Sequence, residues 1–546
     1  ILYGPYTDKS LIRNAVMYEM GDMINRYTTR RRFCELFING DYRGVYLFME
    51  NIKRDENRVD IATLLPTDID GDEVTGGYIL KVDRIQGDFE GGWPSPYASL
   101  GGGDMSIQLH KPEADDLHPN QLAYIEDHFT AFEHALAGNN FMDPVLGYAP
   151  YIDAPSFVDL YLANEVSKNI DGYRLSTYFY KDRGGLLKAG PGWDFNLGLG
   201  NASFNRAQFP DGWHYEDVDP NRFLPPYYWY QQMFRDPAFE RAYWDRYFQL
   251  REGQWDIPLF MGDINGLADV LSAEATDREF ARWPTLGVDT YANAPGFRNR
   301  LTYQSEVDHL TGFLTNRLQW MDTQFDPPPG VSLPQSQVEA GSLLVLSSQS
   351  NHPIHYTLDG TDPAESSSSA IYNHPLSIEA SSWIKARTRR ANGQRGALRT
   401  ARYLVENLPV VYLSEIHYRP GPMTAAEEAA GFRRNDFEFL EITNPGESEI
   451  SLKDAKFTRG LTYTFGETIL APGQSVVLVE NLEAFEMRYG HLSGIGIAGE
   501  YQGNLDNDGE TLTLEDRDRR VLISLRYNDA EPWPVEADGE GRSLTL

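Results

Sequence analysis

Two aspartates and a serine, Asp171, Ser176 and Asp194, are spaced so that one reversal of the chain brings their oxygen atoms together. Residues 175–181 and 186–190 are rich in Tyr, Phe and Leu and flank an Asp-Arg-Gly-Gly turn, a pattern typical of a β-hairpin. Pairing of the two strands gathers the three side chains at the open end of the hairpin. Two carboxylates and a hydroxyl placed in this way can hold a divalent cation against phosphate oxygens and leave one carboxylate for an acceptor hydroxyl.

The expected register of this hairpin places Ser176 roughly opposite Pro191. Protein kinases use a comparable layout, in which a catalytic Asp is followed by a metal-binding side chain five residues later, a hairpin, and a metal-binding Asp-Phe pair. In this chain Asp171, Ser176, Asp194 and Phe195 occupy those steps.

We expect a helix to lead into the hairpin. Apolar side chains recur every four residues on one face: Val158, Leu162, Val166 and Ile170. Ser156, followed three residues later by Asp159, is a variant of the capping box. The pattern predicts a helix that begins at Ser156 and ends near Asp171.

Upstream of the hairpin, the sequence predicts strands at 34–38 and 45–50, joined by an Asn-Gly-Asp turn, and a further strand at 77–83. Glu50 and Lys81 lie on two of these strands. A strand lysine held by a nearby glutamate could grip a phosphate group. The alternative is that Lys81 lies on an edge strand with its ammonium in solvent and that Glu50 is a surface residue, because most charged strand residues are solvated.

Length and composition indicate a soluble multidomain protein. The chain has 546 residues, enough for about two to four domains. Its 41% hydrophobic and 13% aromatic content excludes general disorder. A formal charge of -32 makes a nucleic acid polymer or an anionic membrane an unfavourable partner, and suits a secreted or surface protein that meets cations or basic polypeptides.

Signals of cellular compartment are few. The single cysteine, Cys34, cannot form an intramolecular disulfide. No apolar run reaches the roughly 18 residues that a transmembrane helix needs. The chain opens at Ile1 without the charged and apolar regions of a signal peptide, so such a peptide has been removed, never existed, or belongs to a missing upstream segment.

Two acidic turns resemble calcium loops only in part. In residues 68–72 the glycine falls at the fourth loop position and the twelfth position is Ile79, so the EF-hand match fails. Asp506 and Asp508 are better explained by a hairpin turn before a strand at 511–514. No glycine-rich phosphate loop is visible before residue 150.

A proline-rich segment at 326–330 ends the first domain. Beyond it, short strands alternate with Asn, Asp and Gly turns at regular spacing, which is typical of β-sandwiches. The sequence therefore predicts a multidomain fold with an α+β domain over residues 1–326. Two all-β, immunoglobulin-like sandwich domains follow, over 331–405 and 406–546.

Four motifs in the same order make residues 3–200 resemble the spore coat protein H (CotH) kinase family: YTDKS at 6–10 with Arg13-Asn14, INGDYRGVY at 38–46 with Glu50, GGYILK at 76–81, and GPGWDF at 190–195. Residues 331–405, with YTLDGTDP at 356–363, are similar to the C-terminal β-module of chitobiases and hexosaminidases. Residues 410–546 are similar to a lamin-tail domain with its immunoglobulin-like sandwich. Neither of these two modules is catalytic in its family.

The resemblance to CotH kinases implies an atypical protein-kinase-like fold that transfers phosphate from ATP with Mg²⁺ or Mn²⁺, best known for serine in secreted coat proteins. Carried over by motif, Asp171 is the catalytic acid/base and Asp194 the principal metal ligand. Trp193 is an adenine-stacking platform and Lys81 contacts phosphate. Glu50 supports Lys81 or the nucleotide.

Ser176 departs from the family pattern, because the best-described members have asparagine five residues after the catalytic Asp. A hydroxyl can bind Mg²⁺ but is a poorer ligand than an amide carbonyl. Asn169 or Asn196 could take its place as a ligand, or metal binding is weak.

The leading hypothesis is an ATP-dependent protein kinase, extracellular or on the cell surface, that phosphorylates Ser or Thr hydroxyls of a protein substrate and uses its β-modules as spacers or anchors. The alternative is a weak or inactive pseudokinase that acts as a scaffold or adhesion protein, which Ser176 and the missing glycine loop favour. A glycoside hydrolase, suggested by the chitobiase-like module, is disfavoured because no stretch presents the two carboxyl groups, about 5–9.5 Å apart, that such an enzyme needs.

Overall fold

The computed structural model describes residues 1–546 except for 25, 85–90, 96, 98–105, 217–226, 292, 335–336, 407–410, 491–494, 518 and 531–532. The chain divides into two compact units, Ile1–Phe325 and Asp326–Leu546. No helix within the described ranges combines the length and the apolar character needed to cross a membrane.

The first unit combines helices with antiparallel strands. Its helices are α1 (Arg13–Met23), α2 (Pro119–Ala137), α3 (Ala154–Ser167), α4 (Tyr227–Met233), α5 (Pro237–Arg251), α6 (Ile257–Asp269), α7 (Ala273–Arg282) and α8 (Tyr303–Asp322). Its strands are β1 (Leu2–Tyr3), β2 (Arg31–Ile38), β3 (Asp41–Met49), β4 (Tyr78–Val82), β5 (Gly92–Pro94), β6 (Ser106–Lys111), β7 (Thr177–Lys181) and β8 (Leu187–Ala189).

These strands form two sheets, with the orders β1-β3-β2 and β5-β6-β4-β7-β8. Strand β4 is bonded on one side to β6 and on the other to β7, and Lys81 pairs with Gln108 and with Tyr178. The alternative that placed Lys81 on an edge strand is therefore wrong, because β4 lies inside its sheet.

The β2–β3 hairpin turns through two residues, Asn39 and Gly40, which have φ angles of 52° and 82°. Ile38 and Asp41 pair directly across this turn. Asparagine and glycine are the residues that tolerate left-handed backbone best, so the predicted turn chemistry fixes this hairpin.

Helix α3 begins two residues earlier and ends four residues earlier than predicted. Its N-cap is Asp153, whose carboxylate accepts a 2.8 Å hydrogen bond from the Ser156 backbone, while Pro155 occupies the first turn, where no N–H is needed. The helix stops at Ser167 because Lys168 is left-handed, with φ 45°. Asp171 therefore lies in the turn after the helix rather than at its end.

The β7–β8 hairpin is present, but its register differs by one residue from the prediction. Phe179 pairs with Ala189 and Lys181 with Leu187, so residue 176 falls across from 192 rather than from Pro191. Leu187 is completely buried, whereas Leu186 is 37% exposed. Burying Leu187 on the core face decides the register, because a slip by one residue turns every side chain to the other face.

An aromatic core lies against this hairpin. Phe179 of β7 packs at 5.7 Å from Phe129 of α2 and at 5.9 Å from Phe157 of α3, measured between ring centroids. All three side chains are fully buried. Rings of this size bury much apolar area, so they fix the position of the hairpin on the helices.

The second unit is built mainly from strands. Its strands are β9 (Gly330–Val331), β10 (Gln337–Glu339), β11 (Ser342–Leu344), β12 (Leu346–Ser347), β13 (Ile354–Thr357), β14 (Ala370–Ile371), β15 (Leu376–Ile378), β16 (Ser382–Thr388), β17 (Arg399–Glu406), β18 (Tyr412–His417), β19 (Phe439–Thr443), β20 (Ile450–Ser451), β21 (Lys456–Arg459), β22 (Tyr463–Thr464), β23 (Ile469–Leu470), β24 (Ser475–Val479), β25 (Gly496–Glu500), β26 (Thr511–Glu515), β27 (Val521–Arg526) and β28 (Leu544–Thr545). Two short helices, α9 (Ala425–Ala430) and α10 (Leu482–Tyr489), are also described there.

The two largest apolar clusters among the described residues of this unit organise most of these strands. One draws on residues between Val338 and Val405 around the sheet β10-β17-β16-β13-β14. The other draws on residues between Val411 and Leu544, with the sheets β25-β24-β19-β18-β28 and β22-β21-β26-β27. The predicted fold class, an α+β region followed by β-sandwich structure, is confirmed.

Candidate functional site

The open end of the β7–β8 hairpin brings Ser176 and Asp194 together. The Ser176 hydroxyl donates a hydrogen bond of 3.3 Å to Asp194 Oδ2. Ser176 immediately precedes β7, and Asp194 follows β8 after the segment 190–193. Both have left-handed backbone, with φ angles of 49° and 61°. Such angles strain residues other than glycine, and they persist at sites where the surrounding structure enforces them.

Asp171 adds a second carboxylate to this region. Burial, and then the negative charge of Asp171, raise the pKa of Asp194 to about 6. Asp171 forms an ion pair with Arg174, with 2.9 Å between Oδ1 and the guanidinium. Burial raises the pKa of Asp171 as well, while Arg174 acts in the opposite direction. The two carboxylates therefore repel each other in a partly desolvated place.

Asp83 is a third carboxylate near the site, and the sequence analysis missed it. Val82 pairs with Thr177 at the end of the β4–β7 ladder, so the next residues along the two chains are Asp83 and Ser176. The charge of Asp83 contributes to the raised pKa values of both Asp171 and Asp194. Only the pairing of β4 with β7 reveals this placement, since nothing local in the sequence connects the two strands.

The donor chemistry of this group fits Mg²⁺ or Mn²⁺. Carboxylate and hydroxyl oxygens can both bind these ions. The pKa of Asp194 is raised first by burial and then by the charge of Asp171, and a cation would relieve the repulsion between the two carboxylates. Within the described ranges, no three Asp, Glu, His or Cys side chains are grouped closely enough to hold a metal ion by themselves. A cation held here would need phosphate oxygens or water as further ligands, which is usual for Mg²⁺.

The two asparagines considered as substitutes for Ser176 have other contacts. Asn169 is buried, and its side-chain oxygen accepts a hydrogen bond of 3.4 Å from the Asp171 backbone. The Asn196 side chain hydrogen-bonds Tyr3, and its backbone carbonyl accepts a 2.8 Å bond from Asn201. Both asparagines thus help to shape the backbone beside the carboxylates.

The N-terminal motif holds the segment that follows Asp194. The Asn14 side-chain oxygen accepts a hydrogen bond of 2.7 Å from the Phe195 backbone. The Asn201 side chain donates to the carbonyl of Thr7, at 3.1 Å. Arg13, in the same motif as Asn14, is fully buried. The motif therefore anchors the backbone that follows Asp194.

Lys81 lies on the same face of the sheet as Tyr178, its partner across the β4–β7 ladder. It is half-buried, whereas every other residue of β4 is buried. Its ammonium makes no hydrogen bond or ion pair with any residue in the described part of the chain. A cation in this position is available to an anionic ligand.

Glu50 does not hold Lys81 in the described contacts. Its carboxylate pairs with Arg30 and, at 3.1 Å, with Arg58 Nε. The Glu50 backbone also bonds the carbonyl of Arg30, which sets these two residues side by side at the end of the β2–β3 hairpin. The hydrogen bond from Arg30 lowers the pKa of Glu50. The predicted support of Lys81 by Glu50 is therefore replaced by pairing with two arginines.

Trp193 is half-buried and packs at the edge of a small apolar cluster that includes Ile79 and Tyr178. Its ring lies 6.4 Å from that of Tyr178 and 6.3 Å from that of Tyr18, measured between centroids. The side chain is therefore anchored on protein while part of it stays accessible.

Comparison with protein families agrees with this architecture. The family model described as CotH kinase protein matches residues 1–321, which is more than half of the chain, so the protein belongs to the CotH kinase protein family. A model described as Fn3 associated matches residues 344–403, and the Lamin Tail Domain model matches 406–529. The order of domains predicted from the sequence is confirmed.

Known proteins outside these families add little. No curated protein matches the chain. A crystal structure of a DUF4876 family protein from Bacteroides thetaiotaomicron VPI-5482 is similar at 14% sequence identity and a TM-score of 0.11. The match covers 27% of this chain and 47% of that protein. A similarity this weak carries no inference about fold or function.

Proposed function

We propose that the first unit is an atypical kinase that transfers the γ-phosphate of ATP to a Ser or Thr hydroxyl of a protein. The observation that carries the proposal is the convergence of Ser176 and Asp194, at 3.3 Å, with a second carboxylate, Asp171, whose charge adds to burial in raising the pKa of Asp194. Membership of the CotH kinase protein family supports it. A bound Mg²⁺ or Mn²⁺ would supply neutralisation of the phosphate charge.

Each residue of the site has a separate role in this proposal. Asp171 orients the acceptor hydroxyl and takes its proton, and Arg174 fixes the orientation of that carboxylate through its 2.9 Å ion pair. Lys81, whose ammonium has no partner among the described residues, offers it to the phosphates. Asp194 and Ser176 would hold the cation through their side-chain oxygen atoms. The accessible part of Trp193 offers a stacking surface to adenine.

The net charge of the chain and its family membership support a proposal for the location of the reaction and for its class of substrate. An extracellular or cell-surface location fits the spore-coat name of the family and the lamin-tail domain. The formal charge of -32 favours basic protein substrates over nucleic acids. The two β-modules would act as spacers or as attachments to a surface or matrix.

A second candidate is a scaffold with the same fold and little or no catalysis. The ion pair between Asp171 and Arg174 favours it, because the carboxylate that should meet the substrate already has a partner. The hydroxyl of Ser176, a weak metal ligand, and the pairing of Glu50 with arginines rather than Lys81 point the same way.

Labelled ATP distinguishes the two candidates. The full chain is incubated with Mg²⁺ or Mn²⁺ and a basic Ser-rich peptide, beside Asp171→Asn, Asp194→Ala and the surface control Asp263→Asn. For a kinase, Asp171→Asn should lower turnover far more than ATP affinity, and Asp194→Ala should abolish metal-dependent nucleotide binding. If the unmodified chain binds ATP by calorimetry but labels neither itself nor the peptide, the scaffold is correct.

A further inference from the structure

A cavity of about 240 Å³ lies behind the segment 190–192, between α1, α3 and the end of β8. Its wall includes Tyr18 and Phe195, which flank the position of Trp193. Asp171, Ser176 and Asp194 are not among the described residues that line it. The cavity is therefore adjacent to the candidate active site but distinct from it.

The size of the cavity limits what it can hold. A cavity of about 150 Å³ accommodates benzene, and pockets for drug-sized ligands span about 300–1,000 Å³. At about 240 Å³ the space suits a single ring with one small substituent. A nucleoside triphosphate is too large to enter as a whole.

The wall offers positive charge without a protein partner. Lys188, at the centre of β8, lines the cavity and makes no hydrogen bond or ion pair with any residue that the structure describes. Arg58 also lines it and uses Nε for Glu50, at 3.1 Å, which leaves its other guanidinium nitrogens available. One cation without a partner among the described residues and a second with guanidinium nitrogens to spare favour an anionic occupant, even in a chain with a formal charge of -32.

The carboxylates of the same wall do not cancel this charge. Asp159 is paired twice, with Arg26 at 2.6 Å and with Arg246 at 2.9 Å. Asp60, the other lining carboxylate, is exposed to solvent. The interior of the cavity therefore keeps a positive excess.

We propose that this cavity is a binding site for a small organic oxyanion, a carboxylate or phosphate monoester carried on a single ring. Lys188 and Arg58 would bind the anionic group, and Tyr18 and the segment 190–192 would pack against the ring. An occupant would contact the segment 190–192, which leads directly into Trp193 and Asp194. Binding would therefore restrict the motion of that backbone.

Calorimetry of the full chain tests the binding. Phenyl phosphate and benzoate are titrated beside benzylamine and benzyl alcohol, which keep the ring but reverse or remove the charge. We expect one site per chain and at least tenfold tighter binding of the anions. Lys188→Gln should weaken phenyl phosphate at least tenfold, while Lys453→Gln, at an exposed lysine of the second unit, should leave it unchanged.

A second variant and a second method keep the test independent of one substitution. Ala163→Phe fills the cavity from α3 and should abolish binding, with the melting temperature as the check on folding. Hydrogen exchange should show protection in peptides covering 188–195 when phenyl phosphate is bound. Equal affinity for benzylamine, unchanged binding in Lys188→Gln, or displacement of phenyl phosphate by a magnesium–ATP analogue would overturn the proposal of a separate anion site.

Discussion

Replacing Asp194 with asparagine should stabilise the first unit at neutral pH. The ordinary pKa of an aspartate is 3.8, and in the folded protein burial and Asp171 raise that of Asp194 to about 6. Well below pH 3.8 the carboxyl is protonated in both folded and unfolded chains, so it leaves the free energy of unfolding unchanged. As the pH rises towards 6, the unfolded chain loses the proton first, so stability falls and stays reduced above the folded pKa.

The size of the effect follows from the shift. About two pKa units correspond to a ceiling of about 3 kcal/mol, since each unit is worth about 1.4 kcal/mol. Because the Asp194 side chain is only half-buried and solvent screens part of its charge, we expect Asp194→Asn to gain about 1–2 kcal/mol at pH 7.5 and close to nothing at pH 3.5. Asparagine also tolerates the φ angle of 61°, but that benefit is the same at both pH values.

Denaturation of the full chain in chelator, followed by tryptophan fluorescence, measures this difference. Most of the tryptophans lie in the first unit, so the signal reports its unfolding. Asp263→Asn, at an exposed position of α6, is the matched control and should change stability at neither pH. Mn²⁺ should raise the melting temperature of the unmodified chain and leave that of Asp194→Asn unchanged. An Asp194→Asn chain that is no more stable at pH 7.5 than at pH 3.5, relative to the original, would refute the reasoning.

Four further predictions test the scaffold and the site. Arg317→Met should lower the free energy of unfolding by about 3–5 kcal/mol in urea, because it leaves the fully buried Glu165 carboxylate without its cation; a loss below about 1 kcal/mol contradicts this. Trp193→Ala should weaken ADP binding by about 1–3 kcal/mol in calorimetry if the ring stacks on the base, whereas a purely structural role predicts a lower melting temperature with unchanged affinity. Ser176→Asn should tighten Mn²⁺ binding, followed by electron paramagnetic resonance, because an amide oxygen is the better ligand and asparagine tolerates a φ of 49°; unchanged affinity speaks against Ser176 as a ligand. A chain of residues 1–325 should fold and bind nucleotide on its own, and insolubility or loss of binding would show that the β-modules complete its core.

Local signals in the sequence were sufficient for the hairpin that carries the site. Tyr, Phe and Leu runs on either side of an Asp-Arg-Gly-Gly turn predicted strands that the structure places at Thr177–Lys181 and Leu187–Ala189. The error of one residue in register arose because the prediction paired the strands about a four-residue turn, 182–185, whereas Lys181 pairs with Leu187 and leaves five residues between them. Only the packing of the core, which buries Leu187, selects between the two registers.

Local sequence signals also failed to predict the ends of α3, the helix before the hairpin. The apolar spacing identified the helix, but Asp153 and Pro155 begin it and Lys168 ends it. Helix propensities do not predict that Lys168 adopts left-handed backbone. The Lys168 side chain reaches the carbonyl of Asp211 at 2.7 Å, which is a tertiary contact.

The sequence by itself determined the order of the domains, the motifs of the family and the local meeting of Ser176 with Asp194, because each of these depends on neighbours in the chain. The tertiary structure decided the rest. Asp83 reaches the site only because β4 pairs with β7, and Glu50 is bound by Arg30 and Arg58 rather than by Lys81. Contacts between residues far apart in the chain depend on which strands pair and which side chains are buried. The spacing of neighbouring residues specifies neither of these.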